Sequence, residues 1–320
     1  EPGNMESLML GERPSIDGEA TVVEIGVQVF DIEDVDDVSQ RFGVDMFIFA
    51  RWQDPRLALP EEERNGRKRF IPFDKIWTPR VLILNQRGLT PLLPEGVEVD
   101  DFGTVELLNR LSGRLAADLE FHKFPFDVQR LPIELVSYEY SIDEMELVPI
   151  ADINSPVERF SIEGWHVTQA ETELIPFAAP ARGIALPRMT YVFEAERDSA
   201  YYLLTMLVPM ALIIFMAWTV FWLQPNLVAP RIAISTASIF SLIALGVSLR
   251  LGLPKVSYLT MADVFVLGCT LMVFVALGVA VLGSRWAGSD RLEQALKANA
   301  IARWVYMFLF VAVALIAFRH

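Results

Sequence analysis

Ala233, Ala237, Phe240, Ala244, Val247 and Leu251 recur at alternating steps of four and three residues within the apolar run Pro230 to Leu251. That spacing lays them along one stripe of a helix. The stripe is small except at Phe240, and charge enters the run only near its ends, at Arg231 and Arg250. Five hydroxyl residues share the run: Ser235, Thr236, Ser238, Ser241 and Ser248. A helix of this kind suits the wall of a narrow pore, with one bulky ring to close it. It also suits a bundle core, where small residues permit close packing.

Residues that could carry bond-breaking chemistry are not arranged for it. The chain has no HExxH, no GxSxG, no phosphate-binding loop and no cysteine pair. His122, His166 and His320 are far apart in sequence and read as ordinary surface or core histidines. The acidic run Asp31, Glu33, Asp34, Asp36 and Asp37 lacks the glycine and ligand order of a calcium loop, so a solvated turn is expected there. No catalytic residue, cofactor or metal site is expected, and an enzyme is a poor hypothesis.

The elements that position the stripe follow from composition. The chain has 320 residues, 53% of them hydrophobic, and a formal charge of −14. The charge is unevenly divided, with −19 over residues 1–200 and +5 over 201–320. Residues 1–199 are therefore expected to form an acidic soluble domain and 200–320 a membrane domain. An acidic domain argues against nucleic acid, whose phosphates demand the opposite sign. The single cysteine, Cys269, rules out a disulfide within the chain. The starting stretch EPGNMES has no basic segment followed by an apolar core, so no signal peptide is expected in this sequence.

The first 200 residues read mostly as strands. Thr21 to Ile32 and Val44 to Trp52 are β-rich, with an acidic connection, Glu33 to Ser39, between them. Phe70 to Ile83 contains Pro79, which fits a strand end. Thr104 to Phe121 is expected as two strands around Ser112-Gly113. Pro132 to Tyr140, Gly164 to Thr172 and Arg188 to Glu196 complete a series at the spacing of an immunoglobulin-like sandwich. Phe177 to Pro187 reads as a loop.

From Tyr201 the character changes. Tyr201 to Leu223 is a run of 23 residues without a charge, long enough at about 1.5 Å per residue to cross a core of about 30 Å. Pro209 within it implies a kink. Further spans are expected at Pro230 to Leu251, Tyr258 to Leu282 and Ile301 to Phe318, giving an all-α four-helix bundle. Arg285, Arg291, Lys297 and Arg303 cluster between the last two spans and place that loop in the cytoplasm. The N-terminal domain and the C-terminus then share the extracytoplasmic side of the plasma (inner) membrane.

Several separate segments carry a family resemblance. Phe124-Pro-Phe-Asp-Val-Gln129 resembles the FPFDxQ loop of pentameric ligand-gated ion channels, the Cys-loop receptor superfamily. Ala117 and Leu131 stand where animal receptors have their two bracketing cysteines, a departure shared with bacterial members. Trp52 to Leu57, Ile76 to Pro79, Arg197, Pro209 and Leu253 to Tyr258 resemble further family segments in order along nearly the whole chain.

The resemblance implies five subunits around a pore lined by the second helix, and nothing in the chain calls for a different partner subunit, so five identical copies are expected. It also implies an agonist site between neighbouring sandwiches, carried by Phe47 and Arg51 on one face and by Tyr138 and Phe177 on the other. An aromatic cage suits an ammonium ligand, although Phe47 and Tyr138 also read as possible sandwich core. Asp37, Asp127, Arg197 and Lys255 match a charged junction that couples signal to pore, and Phe240, the one bulky ring of the stripe, is expected to form the gate. The implied partners are membrane lipids, permeating inorganic ions and an agonist: a small amine, an aromatic amino acid, protons or hydroxide. The acidic sandwich favours cations, whereas Ala229-Pro230-Arg231 has the residue types of anion-selective members. A non-conducting, membrane-anchored receptor is the alternative of another class.

Overall fold

The computed structural model describes residues 10–14, 18–150, 160, 162–251, 255–289 and 291–319, without the side chains of 168–170. The stretch EPGNMES, Leu253 and Pro254, Asp290 and His320 lie outside the described residues. The chain divides into two compact units. One comprises Glu1–Asp36, Gln40–Asp118 and Gln129–Ala195; the other comprises Asp37–Ser39, Leu119–Val128 and Glu196–His320.

The first unit is a β-sandwich. Its strands begin with β1 (Thr21–Asp36), β2 (Arg41–Gln53), β3 (Arg69–Pro72), β4 (Val81–Ile83), β5 (Thr90–Pro91) and β6 (Gly96–Val99). They continue with β7 (Thr104–Ala116), β8 (Val128–Ser137), β9 (Met145–Pro149), β10 (Trp165–Leu174), β11 (Phe177–Ala179), β12 (Ile184–Leu186) and β13 (Arg188–Arg197). One sheet runs β3-β6-β7-β2-β1-β9, with β5 also on β7, and the other runs β10-β13-β8-β4.

Period-two alternation decides which side chains fill the space between the sheets. Val23, Ile25, Val27 and Val29 of β1 and Met46, Ile48, Ala50 and Trp52 of β2 are buried. Leu131, Ile133 and Leu135 of β8 and Met189, Tyr191 and Ala195 of β13 are buried from the other sheet. Each large apolar side chain so buried contributes about 1.5–3 kcal/mol. The one polar atom that Tyr191 brings inside is satisfied, its hydroxyl donating to the Ile25 carbonyl at 3.0 Å.

Four segments differ from the sequence-based expectation. The acidic connection is largely strand: β1 continues to Asp36, paired with Arg41 of β2, and bulges between Val29 and Asp31 and between Ile32 and Val35 absorb the irregularity. No group of three or more His, Cys, Asp or Glu able to hold a metal occurs among the described residues. Residues 104–116 form one strand, not two, because β2 pairs with β7 without interruption from Gln53↔Thr104 to Arg41↔Ala116. Gly113 stays in the ladder at φ +149°, where a Cβ would stand 2.3 Å from the Gly88 carbonyl oxygen. The Phe70 to Ile83 stretch is two short strands, β3 and β4, and Phe177 to Pro187 is largely the two-stranded hairpin β11-β12.

The second unit holds four helices long and apolar enough to cross a membrane: α1 (Ser199–Trp222), α2 (Val228–Leu251), α3 (Met261–Ala287) and α4 (Leu292–Ala317). Asp198 caps α1, accepting the Ala200 N–H at 3.0 Å. Residues Leu203–Leu207 of α1 form a π-helical turn just before Pro209. α3 starts three residues later than the apolar pattern suggests, because Thr260 and Asp263 close a capping box there. α4 starts nine residues earlier than expected. Its first turns are polar, yet Ala295 and Asn299 face inward and anchor them.

Candidate functional site

The six stripe residues lie on one exposed side of α2 in the single chain. Phe240 is 68% exposed and Leu251 80%, and Ala233, Ala237, Ala244 and Val247 are exposed with them. The opposite side of the helix carries Arg231, Ser235, Ser238, Ile239 and Leu242, all buried. Small residues at a helical period thus mark the face the bundle leaves uncovered, not a packing face. The hydroxyls of the run divide between the two sides of the helix. Ser241 and Ser248 are exposed beside it, whereas Ser235 and Ser238 turn into the bundle. Ser238 donates to the Ile234 carbonyl at 2.9 Å, one turn back along its own helix.

Arg231 is 0% exposed and lies off the stripe. Its Nη2 donates to Asn299 Oδ1 of α4 at 2.9 Å. Arg250, beside Leu251, is exposed with its Nε 3.6 Å from Asp263 of α3.

Three of the four residues named for the charged junction meet. Arg197 donates Nε and Nη2 to the two oxygens of Asp127 at 2.8 and 3.0 Å. It donates Nη1 and Nη2 to Asp37 at 2.7 and 2.9 Å. One planar guanidinium therefore grips two carboxylates side by side, which a lysine ammonium cannot do. The Arg197 side chain is 2% exposed. Burial alone would lower its pKa, but the hydrogen bonds to Asp37 and Asp127 outweigh that and raise it. The rings of Phe124 and Tyr202 lie 5.1 and 5.5 Å from the guanidinium carbon. Asp37 sits in the turn after β1, Asp127 in the Leu119–Val128 loop and Arg197 at the end of β13. The fourth residue, Lys255, lies elsewhere. It is exposed in a recess of about 320 Å³ lined also by Phe121, Arg250, Tyr258 and Asp263.

Tyr258, in the lining of that recess, takes part in a contact the sequence did not signal. The rings of His122 and Tyr258 stack with centroids 3.7 Å apart and planes 6° from parallel. Their partners are 136 positions apart, so no local pattern announces them.

Of the residues named for an agonist site, Phe47 and Arg51 share the outer face of the first sheet, away from the sandwich core. Phe47 stands edge-on to Phe30 at 4.9 Å and 6.0 Å from Phe49. The guanidinium of Arg110 lies 5.8 and 5.7 Å from the Phe30 and Phe47 ring centroids. Asp45 holds Arg110 there through bonds of 3.1 and 2.7 Å. The aromatic pair thus already has a cation, supplied by the chain itself. Arg51 is flanked by its cross-strand neighbours Glu24 at 3.5 Å and Glu106 at 3.3 Å. Tyr138, 45% exposed, follows β8, and Phe177 opens β11. Neither is sandwich core, and neither makes a ring contact with Phe47 among the described residues.

Comparison with known proteins matches both units. Residues 5–179 match the Neurotransmitter-gated ion-channel ligand binding domain, and residues 206–285 match the Neurotransmitter-gated ion-channel transmembrane region. The chain is similar to gamma-aminobutyric acid receptor subunit beta-4 of Gallus gallus, at 24% identity over 270 residues, 83% of this chain and 55% of that protein. The chain thus spans about half the length of the curated relative it matches. A sandwich matched to the ligand-binding domain, followed by membrane-length helices matched to the transmembrane region, identifies the chain as a member of the neurotransmitter-gated ion-channel family of the Cys-loop superfamily, a family of ligand-gated ion channels rather than enzymes.

Proposed function

We propose that five copies of this chain assemble into a cation-selective channel of the plasma membrane, opened by a chemical signal acting on the sandwich. In this reading residues 1–199 and the C-terminus lie outside the cytoplasm and residues 200–320 form the membrane domain. The observation that carries the reading is the division of α2: six residues at helical period are exposed while its opposite face is buried. Five such stripes facing one axis make a pore wall of small side chains with a ring of Phe240 at its middle. Phe47, Arg51, Tyr138 and Phe177 form the agonist site only when two copies meet, which agrees with their separation within one chain. Asp37, Asp127 and Arg197 carry the signal from sandwich loops to α1, and Lys255 belongs to the connection that moves the end of α2.

Cation selectivity rests on two charges. The first 200 residues carry −19 per copy, a field that concentrates cations at the outer entry within a Debye length of about 8 Å. Arg231, the cation that would favour anions, is buried away from the stripe. The test is the reversal potential of the purified, reconstituted protein under a NaCl gradient. A shift toward the sodium equilibrium potential supports the reading, and a shift toward that of chloride replaces it with an anion channel. Absence of any current across a panel of ligands and pH values would favour the non-conducting receptor.

A further inference from the structure

The beginning of α2 holds a cation with no counter-charge among the described residues. Arg231 is 0% exposed, and the only hydrogen bond of its side chain among the described residues runs from Nη2 to Asn299. Nε and Nη1 have no hydrogen-bond partner among the described residues. Ser235, one turn further along the same buried face, is also 0% exposed, and its Oγ has no hydrogen-bond partner among the described residues. Gly283 of α3 borders the guanidinium so closely that a Cβ there would stand 3.3 Å from Nη1. Asn299 is itself tied down, its Nδ2 donating to the Leu223 carbonyl at 3.4 Å.

A guanidinium stays protonated in a protein, and an uncompensated ion in a low-dielectric interior is strongly unfavourable. Arg231 also stands in the first turn of a 24-residue helix, where the backbone adds positive potential. Among the described residues the surroundings are rich in donors and poor in acceptors, since Asn299 Oδ1 alone accepts from the guanidinium. Water could fill the missing hydrogen bonds, but it leaves the charge uncompensated; an anion does both. Full burial beside a side-chain-free Gly283 suits an ion of one atom better than a lipid phosphate.

We propose that a small inorganic anion, chloride in ordinary saline, is the counter-ion of Arg231 inside the helix bundle, with the Ser235 hydroxyl as a further donor. The ion is structural: it sits on the face of α2 opposite the exposed stripe and takes no part in conduction.

Two measurements on the full-length protein test this. Diffraction at the bromine absorption edge, from crystals grown in NaBr, should show an anomalous peak beside Arg231. Ordered water or a lipid phosphate in that place, without a bromine signal, overturns the proposal. Melting of the detergent-solubilised protein in equimolar NaCl, NaBr and sodium gluconate should give halide values about 2–4 °C above gluconate. Arg231→Gln should abolish the difference, and Ser235→Ala should reduce it. No halide effect on the wild type, or the full effect in Arg231→Gln, is equally fatal. If Arg231→Gln does not fold, the bromide peak in the wild type decides alone.

Discussion

The ring of Tyr258 is held from both sides by consecutive residues of one loop: His122 stacks on its face and the Phe121 N–H donates to its hydroxyl at 3.0 Å. The His122 carbonyl also accepts the Met261 N–H at 3.0 Å, so the same loop fixes the entry to α3. Tyr258→Phe keeps the stack and loses one hydrogen bond, a cost of about 1 kcal/mol. Tyr258→Ala loses the stack as well and should cost about 1 kcal/mol more. Melting temperatures of the purified variants should fall in the order wild type, Phe, Ala. Equal loss in both variants would mean that the stack contributes nothing.

Arg197→Ala leaves Asp37 and Asp127 as two buried carboxylates without their cation. The expected penalty is about 3–5 kcal/mol, seen as poor assembly or an activation curve displaced to stronger stimulus. Arg197→Lys should recover only part of the loss, because an ammonium cannot serve both carboxylates with paired bonds. Normal surface expression with unchanged activation in Arg197→Ala would falsify the coupling role.

Phe240→Ala and Phe240→Ser should raise spontaneous opening or shift activation to weaker stimulus, since a ring of exposed phenyl groups is a hydrophobic barrier that small or polar side chains remove. A cysteine placed at 240 should react with a water-soluble thiol reagent. Failure to react, together with lowered stability, would put the ring behind the pore wall.

Arg110→Ala should vacate the faces of Phe30 and Phe47 while leaving Asp45 beside them. A tetramethylammonium probe should then bind about tenfold more tightly than to the wild type, a gain of about 1.4 kcal/mol that lies between exposed and desolvated cation–π contacts. Calorimetry on the two proteins measures it. Identical affinities would show that Arg110 does not occlude the pair.

Local pattern revealed the elements whose environment is uniform. Alternation in β1 and β2 and the four apolar runs were legible because one face of each meets a single surroundings. The Arg197 cluster was legible through motif positions, although its residues lie up to 160 positions apart. Other features depend on partners that no window of sequence contains. The leucine-rich Thr104 to Ala116 is unbroken at Ser112-Gly113 because β2 dictates its register. α4 begins at Leu292 because Asn299 finds Arg231 and the Leu223 carbonyl. One signal was available and unused: Ser235 stands four residues from Arg231, on the side of α2 opposite the small stripe. The stack of His122 on Tyr258 and the cover of Arg110 over Phe47 had no such signal.

The π-helical turn at Leu203–Leu207 bears on how force passes along α1. A straight helix of 24 residues would behave as a rigid rod, and torque at one end would reach the other undiminished. Five residues with wider winding, followed by a proline that offers no N–H to the turn behind it, interrupt that rod one and a half turns from Arg197. Under the proposed coupling, torque from the Arg197 clasp would reach the segment that begins at Val208 through this softer turn rather than through a continuous rod. α1 is a jointed shaft, and its joint sits beside the charged grip.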